Sequence, residues 1–279
     1  MELTPIGSIL RSLWFLVACL AIGVASYFIY RARGWKRKGV WAVIILGLLG
    51  FFPLKNWIKE REQASYAREA WAHFKKLCDE KSGEKIYRQQ TGIRSVVVTK
   101  ALPPAKESDL YDQFWDGDPY SASATSQRSI HAAGKLVYQN APLSRNTAGT
   151  GFDFVEFDVG SIAGSKTGVL HVAYDSLKRD YSVKEISKAV SRFSLKWEDI
   201  STQRDREYWV AGSRLSVIDL SDNRVVAERV GFFIEAGFGS TAGNRRPWLA
   251  SKGATTTCPE AHDWADRWFV IKALRPNGG

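Results

Sequence analysis

The chain is 279 residues long, 45% hydrophobic and 24% charged, a balance that excludes a disordered or low-complexity polypeptide and leaves room for one sizeable core. Its formal charge of +10 invites a nucleic-acid reading, but residues 1–58 hold seven basic groups and one acid, so the remainder carries 32 basic against 28 acidic side chains. Spread that thinly, the charge does not make a phosphate-binding stripe, and no nucleic-acid partner is expected.

Ser12 to Tyr30 is a run of nineteen residues without a charge, and Gly39 to Leu54 a second of sixteen. Their lengths predict two transmembrane helices, over about 12–30 and 39–58, the second extended by Trp57 and Ile58. Between them, RARGWKRK at 31–38 places five basic groups in a short loop, which the positive-inside bias assigns to the cytoplasm. The expected organisation is therefore a membrane anchor over 1–58 and a domain over 59–279. That placement is a multi-pass bacterial inner-membrane protein with a periplasmic domain. A buried core helix or a re-entrant segment is the alternative for the shorter run.

From about residue 57 to 82, Ala64, Ala67, Trp71, Phe74 and Cys78 recur every three or four positions and predict a helix with one apolar stripe, ended by Gly83. IYR at 86–88 and IRSVVVT at 93–99, separated by QQTG, predict a hairpin. A polar, aromatic loop follows, YDQFWDGDPYSAS, and then an irregular stretch through residue 150. FVEFDV near 154–159, TGVLHVAY at 167–174 and SRFSLKW at 191–197 read as strands, with Phe193, Leu195 and Trp197 on one face. EYWVAGSRLSVIDL and RVVAERVGFFIEA, joined by Ser221-Asp222-Asn223, predict an antiparallel hairpin. In CPEAHDWADRWFVIKAL, Pro259 fits the first turn of a helix whose inner side would be Trp264, Trp268 and Ile271. The fold class expected is α+β: two N-terminal transmembrane helices, then a mainly antiparallel β domain bracketed by helices.

Three cysteines occur, of which Cys19 falls in the first apolar run. Cys78 and Cys258 are the candidate disulfide, tying the first element of the domain to its last; two unpaired buried thiols are the alternative. Four scattered histidines give no zinc spacing, and no nucleophile elbow is present. His262 and Asp266 stand four apart on the last helix, in the position of an ordinary ion pair. Gly237-Phe238-Gly239-Ser240-Thr241-Ala242 matches a loose dinucleotide fingerprint but lacks the following amphipathic helix, and reads as a flexible glycine loop. Asp112, Asp116 and Asp118 are close enough to suggest a cation, though a turn at Gly117 explains them more simply. No catalytic residue, metal or cofactor is expected.

The 13% aromatic content directs attention to two stretches that mix aromatic anchors with turn residues. One contributes Phe114, Trp115, Asp116, Asp118 and Tyr120; the other contributes Arg245, Arg246 and Trp248. KIYR at 85–88, DPY at 118–120 and the hairpin GSRLSVIDLSDNRVVAERVGFF together resemble uncharacterised bacterial membrane-anchored or exported proteins, which implies an envelope setting and no assigned site. The function expected is a non-enzymatic, membrane-anchored protein-binding domain with a periplasmic protein partner, of immunity type. A structural subunit of an envelope or secretion assembly is the alternative, and an enzyme acting on cell wall or lipid the less favoured one.

Overall fold

The computed structural model describes residues 23, 24, 27, 30, 31, 34–100, 105–120, 151–158, 168–175, 180–250, 255–259 and 265–276. The chain divides into two compact units, 1–66 and 67–279. One helix, α1 (Trp35–Lys81), begins after Gly34 and contributes to both. In the first unit the Arg31 guanidinium donates to the Tyr27 hydroxyl at 2.9 Å, and Arg61 lies over the Trp57 ring at 4.0 Å.

Among the described residues no helix is long and apolar enough to cross a membrane. The expected span at 39–58 is the first part of α1, where a sixteen-residue uncharged run rises about 24 Å at 1.5 Å per residue, short of a hydrocarbon core of roughly 30 Å. The expected span at 12–30, with Cys19, lies almost wholly outside the described residues. The architecture of two transmembrane helices ahead of a mainly antiparallel domain is therefore corrected, and so is the multi-pass inner-membrane placement with a periplasmic domain. The observed class is α+β, dominated by one mixed sheet.

That sheet belongs to the second unit. Its strands are β1 (Gly83–Ile86), β3 (Ser95–Lys100), β4 (Phe154–Asp158), β5 (Val169–Asp175), β6 (Asp180–Ile186), β7 (Phe193–Asp199), β8 (Val210–Asp219), β9 (Arg224–Ile234) and β10 (Thr257–Cys258). The spatial order is β1-β9-β8-β7-β3-β4-β5-β6, with β10 also on β9. β2 (Gln90–Ile93) and β11 (Leu274–Pro276) form a separate parallel pair.

The hairpin expected across 86–99 does not form. β1 pairs antiparallel with β9, whereas β3 pairs parallel with both β4 and β7. The cause is legible in Val96-Val97-Val98: a continuous run without polar alternation has no solvent face, and all three side chains are buried in the middle of the sheet. β7, by contrast, alternates as expected, with Phe193 and Leu195 in the core and Trp197 against it. β8 and β9 pair antiparallel over their length, and Asn223 takes the left-handed backbone conformation in the turn between them.

Each face of the β8–β9 ribbon is covered by a helix. Ala70, Phe74 and Leu77 of α1 pack on Val210, Val230, Phe232 and Ile234. Their i, i+4, i+7 spacing places the buried stripe on one side of the helix, and Trp71, expected within it, is instead exposed. The other face carries the main core, where Phe269, Val270 and Ala273 of the C-terminal helix meet Leu215, Val217, Val226, Ala227 and Phe193. Here too the expected inner side is revised in part: Ile271 packs against this core, but Trp268 is exposed, and Trp264 lies outside the described residues. Cys258 is in a strand and Pro259 in a bend, so Pro259 does not start the helix, whose described extent is Ala265–Ala273.

The expected bond between Cys78 and Cys258 is present, with Cα atoms 5.7 Å apart. It joins the last turns of α1 to β10, a two-residue strand paired on Phe232 and Phe233 of β9.

At the far end of the ribbon, Asp219 is a buried carboxylate that accepts from Arg192 Nε and Nη2 at 3.0 and 2.7 Å, from Arg88 Nη2 at 3.0 Å, and from the Ser221 amide and hydroxyl. The Arg192 hydrogen bonds hold it well below the usual carboxylate range; burial opposes them, and Ser221 adds to the lowering. A folded-state value below the unfolded one means that its contribution is complete above about pH 4 and is lost as pH falls through the folded value. Asp219→Asn is therefore expected to lower stability at neutral pH and to flatten the acid limb of the stability profile. Urea melts followed by circular dichroism across that range check this, and parallel acid limbs in the two proteins would contradict it.

Candidate functional site

The two aromatic stretches singled out in the sequence, more than 100 residues apart, adjoin in the fold. Ser108–Tyr111 forms a 3-10 turn seated on the buried Leu110, and the short helix α3 (Pro247–Ala250) packs against it. Trp248 is fully buried between them and donates from Nε1 to the Asp112 carbonyl at 2.7 Å. Its ring lies 5.0 Å from that of Trp209 and 6.2 Å from that of Phe233, with the Arg206 guanidinium 5.3 Å from its centre. Arg246 Nε pairs with Glu107 at 2.7 Å, a second link between the stretches.

The loop from Asp112 to Tyr120 is fixed from beneath, residue by residue. Asp112 Oδ1 accepts the Phe114 amide at 2.9 Å, the local turn chemistry expected of an aspartate. Gln113 Nε2 donates to the carbonyls of Arg206 and Glu207 at 2.8 and 3.1 Å, satisfying acceptors at the end of α2 (Gln203–Glu207). Arg206, itself buried, donates from Nη2 to the Gly117 carbonyl at 2.9 Å and to Asp199 of β7 at 2.8 Å. The Ser213 hydroxyl of β8 donates to the buried Asp118 carboxylate at 2.5 Å. Tyr120 lies over Gly231 of β9, where a Cβ would approach the phenol oxygen to 2.4 Å, so only glycine admits the ring. Burial pushes the Tyr120 phenol above its ordinary value, against the lowering influence of Arg229. Arg229 in turn reaches Asp266 at 2.8 Å at the start of the C-terminal helix, and Asp266 also accepts from Trp197 Nε1 at 3.2 Å. These bonds to the sheet and the helices hold the loop in one conformation.

Of the residues expected to form the binding loops, Phe114, Asp116 and Arg246 are exposed; Trp115, Tyr120 and Arg245 are half-buried; Asp118 and Trp248 are buried supports. Phe114 keeps 54% of its surface, and Tyr111, absent from the expected set, keeps 39%. Tyr111 stands three residues before Phe114 in the YDQF segment, a spacing that could have flagged it. Glu107 and Gln113 were also missed, because their roles depend on elements far along the chain.

The other sequence candidates resolve differently. Asp112, Asp116 and Asp118 do not converge, Asp112 being turned to the Phe114 amide and Asp118 to Ser213, and among the described residues no group of three or more ligands could hold a metal ion. The glycine loop at 237–242 is organised by Glu235, whose buried carboxylate accepts the amides of Gly237 and Gly239 at 2.9 and 2.7 Å and is paired with Arg245. The amides that would cradle a phosphate are thereby occupied by the protein's own anion, and the expectation of a flexible loop is corrected. Asp266 serves Arg229 and Trp197, while His262 lies outside the described residues. His73 Nε2 and Asp205 Oδ1 lie 2.6 Å apart, tying α1 to α2, and the same carboxylate closes the capping box with Thr202. Glu156, fully buried, accepts the amides of Val190 and Ser191.

No family model, curated protein or solved structure matches the chain.

Proposed function

We propose that the second unit is a protein-recognition domain whose contact surface is the ledge formed by residues 107–116 and Arg246. The observation that carries this reading is the exposure of two aromatic side chains, Tyr111 and Phe114, on a loop whose backbone is tied down from below. An exposed aromatic on a free loop loses much of its contact energy to ordering, whereas one on a pre-ordered loop delivers its area at low entropic cost. Exposed aromatics ringed by polar side chains are also the composition of binding hot spots. Binding is favoured over catalysis because the candidate carboxylates and histidines with described partners are engaged in holding the fold. Asp118, Asp205, Asp219, Glu156, Glu235 and His73 each have a structural bond.

A photo-crosslinking residue at position 114, used in the cell that makes this protein, is expected to yield one dominant protein adduct that disappears with Tyr111→Ala. Position 190 is the control: Val190 is highly exposed but precedes β7 at the end away from Asp199 and the ledge. Equal adducts at 114 and 190, or none at 114, would remove the ledge as a recognition surface.

A further inference from the structure

We infer that the ledge recognises a cationic protein segment, one that presents lysine or arginine side chains with an apolar neighbour. This deepens the recognition reading and rests on it. The chain as a whole carries +10, yet residues 105–120 hold five carboxylates and a single lysine, Lys106. Asp118 is consumed by Ser213, and Asp109 turns back to the Lys106 amide. Glu107 is matched by Arg246, which leaves Asp112 and Asp116 at the surface around Tyr111 and Phe114, joined by Glu207, whose carbonyl Gln113 holds. Of the basic groups nearby, Arg206 is buried on Asp199 and the exposed Arg246 is matched by Glu107; Arg204 and Lys106 are further exposed cations.

Aromatic faces edged with carboxylates attract ammonium and guanidinium groups twice over. The ring quadrupole draws the cation from above, and the acids draw it from the side. Asp112 and Asp116 stand two positions to either side of Phe114 in the chain, and Asp112 is held beside it by the Phe114 amide, so a cation approaching this residue meets both kinds of attraction. An acidic partner segment would place like charges together and be rejected, which gives the surface selectivity as well as affinity. The pre-ordered backbone adds that neither aromatic has to be organised at the moment of contact.

The test uses the full chain and two sets of short fluorescent peptides, one with arginine, lysine and a single tryptophan or leucine, the other with glutamate and aspartate at the basic positions. Fluorescence anisotropy is expected to show binding of the basic set only, weakening as salt rises. Phe114→Ala should weaken it by about tenfold, and the double variant Asp116→Asn, Glu207→Gln, which leaves the bonds of Gln113, Arg206 and Ser213 to the loop in place, by a comparable factor. No binding of the basic peptides, equal binding of both sets, or indifference to the double variant would overturn the inference. Should the crosslink at position 114 persist while the basic peptides fail, recognition stands and the cationic partner falls. If the peptides bind but no cellular adduct forms, the chemistry is right and the recognition role is wrong.

Discussion

Trp248→Ala is expected to destabilise the second unit by about 3–5 kcal/mol, the range for truncating a fully buried tryptophan that cannot be replaced by collapse of its surroundings. The indole fills the space between Trp209, Phe233 and the Arg206 guanidinium, and its Nε1 is the donor that holds the Asp112 carbonyl. Removing it leaves a cavity, reduces the donors on the Asp112 carbonyl to the Trp115 amide, and takes the aromatic neighbour from a buried arginine. Chemical denaturation reports the total. Trp248→Phe separates the contributions, since it restores much of the volume but not the donor, and is expected to lie between wild type and alanine. A loss below about 1 kcal/mol for alanine would mean that the ledge does not depend on this contact.

The second large effect is expected on opening the bond between Cys78 and Cys258. The residues are 180 apart in sequence, and in the chain-entropy model closing so long a loop is worth about 5 kcal/mol. The folded state also loses a tether, because β10 has only two residues with which to hold β9. Reduction, or a Cys78→Ala, Cys258→Ala variant, should lower the melting temperature by roughly 10–20 °C for a unit of this size, given about 2–4 °C per kcal/mol. Differential scanning calorimetry with and without reductant checks it, and coincident melting curves would contradict the bond's structural role. The two perturbations meet at Phe233, on which β10 pairs and against whose ring Trp248 lies, so their effects should couple instead of simply adding.

Some of this organisation was legible in the amino-acid order. The β8–β9 hairpin announced itself through two β-branched runs and a turn whose asparagine tolerates the left-handed conformation. β7 announced itself through strict alternation, and the disulfide through the placement of two cysteines at opposite ends of one unit. Other features needed partners that no local window contains. Val96-Val97-Val98 has the composition of any apolar strand, and only the neighbours β4 and β7 make it the parallel centre of the sheet. The inner face of α1 was displaced from Trp71 to Ala70 and Leu77, and that of the C-terminal helix from Trp268 to Phe269 and Val270. In both cases a large aromatic outweighed the smaller residues that set the true stripe. Apolar length near the N-terminus was read as membrane depth, where the described residues contain no helix able to span.

The site divides in the same way. Turn residues and aromatics marked the two stretches, but not which side chains would face outward. Asp118 and Trp248 look like contact residues in the sequence and prove to be supports, because Ser213 and the Asp112 carbonyl await them. The glycine loop looks open until Glu235, two residues before it, closes on its amides. Tyr111 emerges as an exposed aromatic only when the 3-10 turn aims Leu110 inward and leaves its neighbour outside.

The loop at 107–116 is ordered in the protein by itself, and amide hydrogen exchange on the isolated chain reports that order residue by residue. The amides of Asp112, Phe114 and Trp115 donate to Asp109, to the Asp112 carboxylate and to the Asp112 carbonyl. Their exchange is expected to be slowed well beyond that of an open loop and to accelerate in Trp248→Ala. Exchange at the rate of unstructured peptide in the wild-type protein would contradict the account.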